Sequence, residues 1–317
     1  LQGRDTTIAH RVASRAFLDV LAEGQRPYRV LSIMNETGLL GRFLPEWGRI
    51  VGQTQFNMYH AYTVDEHTLQ AIGLINDVWR GKLKDDHPLA SDIVHRIDDF
   101  EALMLAMLLH DVGKGGDRGQ VEDGALAARR ACERLGVASR RTELVCWLVR
   151  HHLVLSDYAQ KRDVSDPATV RAFAEIVGDP ERLRLLLVLT VADIRAVGPG
   201  VWNSWKGRLM RDLHFRTEAL FRGEIVNAPD PAAEHPMLVA RAGTEGAAVQ
   251  ALPVEADEAV ARVAVAAPDR PGLFADLAAA LAAAGADVVG ARVATTDQGL
   301  ALDVFDLHDG AGLPYGQ

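Results

Sequence analysis

The sequence predicts an α+β chain in which a mostly all-α helical bundle is followed by a linker and a short β-α-β-β segment. Three observations predict it. From about Thr6 to Arg222, apolar residues recur at three- and four-residue steps, the period of helices with one buried face. Residues 227–258 lose that period and gather Pro229, Pro231, Pro236 and Pro253. From Ala259 the pattern alternates every second residue, as half-buried strands do. The expected boundaries are therefore 1–223 for the helical domain, 224–258 for the linker and 259–317 for the last segment.

In order, helices are expected over 61–78, 100–112, 124–135, 139–151, 168–177, 181–197 and 202–221. Gly113, Gly115 and Gly116 stop one of them, and Gly198-Pro199-Gly200 ends another more sharply. The segment 260–265 then alternates as a strand, and 269–284 reads as a helix with Pro271 in its first turn, where a missing N–H is tolerated. Strands over 287–295 and 300–307 flank Thr296-Asp297-Gln298-Gly299, a hairpin turn. The sequence stops before the α-β pair that would finish a ferredoxin-like unit. An open sheet edge, exposed apolar surface and a tendency to disorder, strand exchange or aggregation are expected there.

The 317 residues are 48% hydrophobic and 24% charged, enough apolar material for a core in each of two domains. A formal net charge of −9 lacks the basic footprint that binds nucleic acid or an anionic membrane surface. The longest apolar run, 183–194, is interrupted by Arg184 and Asp193 and falls short of the roughly 20 residues needed to span a bilayer. Cys132 and Cys146 have neither metal-like nor redox-like spacing, which fits a reducing cytoplasm. The start, Leu1-Gln2-Gly3, has no initiating Met and no signal-like apolar stretch, as in a chain cut from a longer one.

The chemistry concentrates in four residues. Leu103-Met104-Leu105-Ala106-Met107-Leu108-Leu109 delivers His110-Asp111 at the end of a strongly apolar helix. Asp193 sits inside a second such helix, after Leu189-Thr190-Val191-Ala192, and His67 lies on a third. An ionised carboxylate buried without a partner costs several kcal/mol, and a divalent cation is one partner that removes the penalty. Two imidazoles and two carboxylates make a mixed N/O set suited to Mn²⁺ or Mg²⁺, with Fe or Zn as further options, and unlike a thiolate zinc site. Each residue also has a plainer reading. A His-Asp pair at a helix end is more often structural, and Asp193 has Arg182, Arg184 and Arg195 close in sequence as salt-bridge partners.

The order His, His-Asp, Asp resembles the HD superfamily of phosphohydrolases. Within it, the stretch 56–67 ending Val64-Asp65-Glu66-His67, Leu109-His110-Asp111-Val112-Gly113-Lys114-Gly115, Trp147-Leu148-Val149-Arg150-His151-His152, Leu189-Thr190-Val191-Ala192-Asp193 and Trp202-Asn203-Ser204-Trp205-Lys206 resemble the bifunctional uridylyltransferase/uridylyl-removing enzymes of bacterial nitrogen regulation. Asp269-Arg270-Pro271-Gly272-Leu273-Phe274 is similar to the start of that family's first ACT domain, a regulatory β-α-β-β-α-β module.

The resemblance implies metal ligation by His67, His110, Asp111 and Asp193, with His152 as an additional ligand. It implies hydrolysis of UMP from a tyrosine of the uridylylated PII signalling protein, with Asp111 and Lys114 in the catalytic centre, Lys114 stabilising transition-state charge. A solvated Lys114 at a helix C-terminus is the plainer alternative. Glutamine would act as effector through Asp269, Arg270, Gly272 and Leu273, although Asp269 also reads as a simple helix N-cap. The nucleotidyltransferase half of such enzymes would precede Leu1, so uridylylation is not expected of this chain. The family's loop histidine is missing too. Gln120 stands near its place, with Asp117, Glu122 and Asp123 as substitutes, and a single metal is the preferred reading. Two other functions fit less well: an HD hydrolase of free nucleotides such as guanosine tetraphosphate, and a non-catalytic HD/ACT sensor.

Overall fold

The computed structural model describes residues 2–54, 62–198, 200–227, 230–254 and 260–316, with side chains from residue 9 onward. Residues 56–61 of the first family-like stretch, Pro199, Pro229 and Ala259 lie outside the described residues. The chain forms two compact units, Leu1–Val164 with Ala168–Val226, and Ser165–Pro167 with Asn227–Gln317.

The first unit is a helical assembly: α1 (Gln2–Ala22), α2 (Pro27–Glu36), α3 (Leu39–Phe43), α4 (Val64–Trp79), α5 (Pro88–Ile93), α6 (Phe100–Leu109), α7 (Gln120–Leu135), α8 (Ser139–His151), α9 (Val154–Lys161), α10 (Pro167–Val177), α11 (Pro180–Val197) and α12 (Ser204–Phe221). Past its first turn, helix α6 is apolar on every side, and all residues from Ala102 to Leu109 are buried, so it runs through the middle of the core rather than along a surface. Its start is set by Asp99, whose side chain accepts from the Ala102 N–H and is itself clasped by Arg141 at 2.8 Å. Asp179 caps α11 in the same way, accepting from the Arg182 N–H, with Pro180 in the first turn.

The sequence predicts a helix to Val112, but α6 ends at Leu109. Residues after it turn more tightly, with the Lys114 N–H donating to the Asp111 carbonyl and the Gly116 N–H to that of Gly113. The cause is a close crossing with the start of α7. A Cβ on Gly113 would lie 2.1 Å from the Gln120 carbonyl oxygen and 2.2 Å from the Gly124 nitrogen, so only glycine fits.

The second unit is a four-stranded antiparallel sheet in the order β1-β2-β4-β3, built from β1 (Ala248–Leu252), β2 (Ala261–Pro268), β3 (Asp287–Thr295) and β4 (Leu300–His308). The β3–β4 hairpin lies where the alternation and turn residues predict it. Residues read from sequence as linker contribute two short helices, α13 (Pro231–Glu234) and α14 (Pro236–Glu245), and then β1. Strand β1 pairs with β2 from Ala248↔Ala266 to Leu252↔Arg262, so the β2 edge expected to be open is occupied. Leu238 and Ala242, one helical turn apart on α14, pack with Ala264, Ala266, Leu302 and Val304. The remaining helix, α15 (Leu273–Ala283), starts four residues later than predicted, behind Pro271 and Gly272, and its N-cap is Gly272 rather than Asp269. Gly272 has φ 83°, a backbone conformation that side chains disfavour. No helix among the described residues is long and apolar enough to cross a membrane.

His214 of α12 is buried, and burial holds its imidazole down to about 4. In the unfolded chain the same group takes a proton near its ordinary value, so the unfolded state binds more protons in between. Its stabilising contribution is present above the unfolded value and is lost as pH falls toward 4. Comparing urea unfolding of the parent chain with His214→Met, the variant should lose less stability between pH 7 and pH 5, by roughly 2 kcal/mol.

Candidate metal centre

Helices α4 and α11 and the turn after α6 bring the four predicted residues together. The imidazoles of His67 and His110 and the carboxylate of Asp111 each offer a ligand atom, and these atoms lie within 4.8 Å of one another. Asp193 joins them: its Oδ1 is 2.9 Å from His67 Nε2 and 3.5 Å from His110 Nε2. Asp111 Oδ2 is 3.2 Å from His110 Nε2 and 4.0 Å from His67 Nε2. The salt-bridge alternative for Asp193 fails on geometry. Arg182 pairs with Asp179, Arg184 with Glu181, and Arg195 faces Asp86 at 3.7 Å.

Two of the groups are aimed by further contacts. His110 Nδ1 donates to the Met107 carbonyl at 2.8 Å, which leaves Nε2 as the lone-pair nitrogen in the neutral ring. That Nε2 is buried without a well-aligned hydrogen bond, although Asp111 Oδ2 is near. Asp111 is gripped from both sides: Gln120 Nε2 donates to Oδ1 at 2.7 Å, and Lys114 Nζ meets Oδ2 at 2.5 Å. Lys114 thus belongs to the cluster, reached through the tight turn and not through a continuing helix; the plainer reading of a solvated lysine does not hold, since its side chain is 9% exposed.

The electrostatics show how strongly the site attracts positive charge. Burial presses His110 toward its neutral form, but Asp111 and then Asp193 outweigh it and push the imidazole up to about 10. Burial likewise works against both carboxylates. The His110 and Lys114 charges nonetheless hold Asp111 well below the usual carboxylate range, and His110 and His67 do the same for Asp193. A proton on His110 and the Lys114 ammonium are, in effect, standing in for a cation. Two carboxylates and two imidazoles, one of them with an unbonded buried nitrogen, are a donor set that fits a divalent metal.

His152 lies at the rim of this cluster. It is buried, donates from Nδ1 to the Val149 carbonyl at 2.7 Å, and turns Nε2 toward Asp111 Oδ1 at 3.9 Å. Burial, with His110 nearby, keeps it neutral. Its neighbour His151 stacks on Trp147 with centroids 4.7 Å apart, a packing role. Of the loop acids, Glu122 pairs with Arg150 and Asp123 accepts from the Arg118 N–H, while Gln120 is the loop residue that reaches the centre. The part Gln120 plays was visible in sequence only as a departure from the family pattern.

The predicted effector residues gather in the second unit at the end of β2. Asp269 accepts from the Thr295 hydroxyl at 3.3 Å, Arg270 is engaged by Asp276 at 2.6 Å, and Gly272 and Leu273 open α15.

Comparison with known proteins finds the HD domain model over residues 64–195 and the ACT domain model over residues 261–314. The bifunctional uridylyltransferase/uridylyl-removing enzyme of Caulobacter vibrioides is 55% identical over 347 residues, covering 96% of this chain and 37% of that protein. The protein of the same description from Phenylobacterium zucineum is 55% identical over 350 residues, with 96% and 37% covered. That from Azospirillum brasilense is 42% identical over 344 residues, with 95% and 37% covered. The chain therefore spans about 37% of the length of these curated relatives.

Asp111→Asn removes charge without volume. Equilibrium dialysis against Mn²⁺ should show binding abolished, with far-UV circular dichroism unchanged. Gln120→Ala, which frees one oxygen of Asp111, should weaken Mn²⁺ by about 10- to 100-fold. Arg182→Ala, at a side chain paired elsewhere, should bind Mn²⁺ as the parent does.

Proposed function

We propose that this chain, whose residues 64–195 form an HD domain and whose residues 261–314 form an ACT domain, is a metal-dependent phosphohydrolase that removes UMP from a uridylylated tyrosine of a PII-type signalling protein. The observation that carries the reading is the convergence of His67, His110, Asp111 and Asp193 on one point, in a chain 55% identical to part of uridylyl-removing enzymes.

In this reading His67 Nε2, His110 Nε2, Asp111 Oδ2 and Asp193 Oδ1 hold a divalent cation, with Mn²⁺ or Mg²⁺ the expected ions. When bound, such a cation polarises a phosphate oxygen and lowers the pKa of water at the site. The protein's own groups do the remainder. The Met107 carbonyl keeps the His110 lone pair on Nε2, and the Gln120 amide fixes the plane of the Asp111 carboxylate. With its Asp111 partner taken up in ligation, the Lys114 ammonium is placed to offset charge that accumulates on the phosphoryl oxygens. Water attacks phosphorus, the bond from phosphorus to the tyrosyl oxygen breaks, and the products are UMP and the free tyrosine hydroxyl once that oxygen regains a proton. His152, neutral and turned toward Asp111, is a further ligand in reserve.

The same reading makes the ACT unit a glutamine sensor. The Gly272 N–H at the opening of α15 suits a carboxylate, beside a Leu273 N–H that donates to the Arg270 carbonyl, and Asp269 and Arg270 flank it.

The chain incubated with Mn²⁺, glutamine and uridylylated PII should release UMP, and Asp111→Asn should release none. Intact uridylylated PII after incubation, while a relative from the same family releases UMP in parallel, would sink the proposal. Pyrophosphate released from guanosine tetraphosphate without action on PII would replace it with the free-nucleotide reading.

A further inference from the structure

A cavity of about 880 Å³ lies in the helical unit and is lined by residues of the two helices that carry His67 and Asp193. Helix α4 carries His67, and its next turns line the cavity at Gln70, Gly73, Leu74 and Asp77. At 1.5 Å per residue, Gln70 to Asp77 spans roughly 4 to 15 Å along the axis from His67. Helix α11 carries Asp193 and contributes Arg195 two residues later. The cavity thus begins one helical turn from His67 and runs on along α4 by a length that a nucleoside monophosphate fits.

Its chemistry is that of a nucleotide site. Arg26, Arg29 and Arg195 give three guanidinium groups to the lining of a chain whose net charge is −9. Arg26 and Arg29 have no ion pair among the described residues, and the nearest acid to Arg195 is Asp86 at 3.7 Å. Lys82 is already satisfied by Asp77 at 2.7 Å. Tyr28 and Tyr62 add aromatic surface. A Cβ on Gly73 would come within 3.2 Å of Tyr28 Cβ, so the glycine lets Tyr28 lie close against α4. The phenol donates to Glu66 at 3.0 Å, and Gln70 donates to the same Glu66 oxygen at 3.0 Å. Glu66 directly precedes His67, so the side chains of the cavity are tied to the helix that presents the first metal ligand.

We infer that this cavity holds the nucleoside of the substrate: the pyrimidine against Tyr28 and its carbonyl oxygens facing guanidinium and amide donors. A uracil edge is rich in acceptors, and a lining rich in N–H donors beside an aromatic face complements it. The identity of the base rests on the uridylyl-removing reading; the nucleotide site itself does not.

The two can be told apart with the full chain in EDTA, titrated by calorimetry with UMP and with ribose 5-phosphate. UMP should bind saturably and at least about tenfold more tightly than ribose 5-phosphate, since only UMP offers a base to stack. The double variant Arg26→Ala/Arg29→Ala, at two exposed positions, should keep the parent melting temperature and bind UMP about tenfold more weakly. Equal affinity for the two ligands, or unchanged UMP affinity in the double variant, overturns the inference. UMP bound as expected by a chain that leaves uridylylated PII intact would keep the cavity and discard the activity. UMP release from uridylylated PII by a chain that shows no UMP binding would do the reverse.

Discussion

The centre of the helical unit is arranged around two carboxylates that the fold draws out of water. Asp111 follows a helix with no polar face, and Asp193 sits near the end of another whose residues from Leu185 to Ala192 are all buried. Such helices satisfy the hydrophobic core but leave their acids with little solvent, and the acids must find positive charge inside the protein. The protein meets this requirement by bringing α4 across with His67 and by turning the chain sharply after Leu109, so that His110 and Lys114 both reach the acids. Gly113 makes that turn sterically feasible, and Gln120 closes it from the far side.

The same requirement explains why the cluster is chemically useful. Groups held at unfamiliar protonation by strong mutual fields are those whose state a ligand can change. In the proposed reading His110, held protonated by the two acids, would give up that proton to ligate a divalent ion, and Lys114, now paired with Asp111, would be left to face phosphate charge. The core that makes the acids costly to bury also excludes the water that would screen them, so one arrangement serves both stability and reactivity.

Much of this was legible in the chain. The apolar runs around α6 and α11 announce buried helices, and an acid at the end of each announces an unmet charge. The β3–β4 hairpin is visible from its alternation and its Gly299 turn. Other features were hidden for physical reasons. The end of α6 depends on Gly113 meeting α7, a contact between residues whose patterns say nothing of each other. Arg182, Arg184 and Arg195 are all close to Asp193 in sequence, yet the helix turns each of them to another acid. The segment around α14 carries prolines that read as a linker, whereas Pro231 and Pro236 each begin a helix, a position where proline is welcome. The arginines and tyrosines of the cavity have no period at all, because they come from three separate stretches of chain.

The placement of β1 bears on what else the sheet can do. In chain order β1 comes first, but in space it occupies the flank of β2 opposite β4, and α14 covers Ala264 and Ala266 beside it. Traced as a closed circle, α14 and β1 stand where a terminal helix-strand pair would complete a βαββαβ ring, so the unit is a circular permutation of that topology. One hydrogen-bonding edge cannot serve two tenants. Any later strand seeking the flank of β2 must evict β1, while the outer edge of β3 is the side on which the sheet can grow.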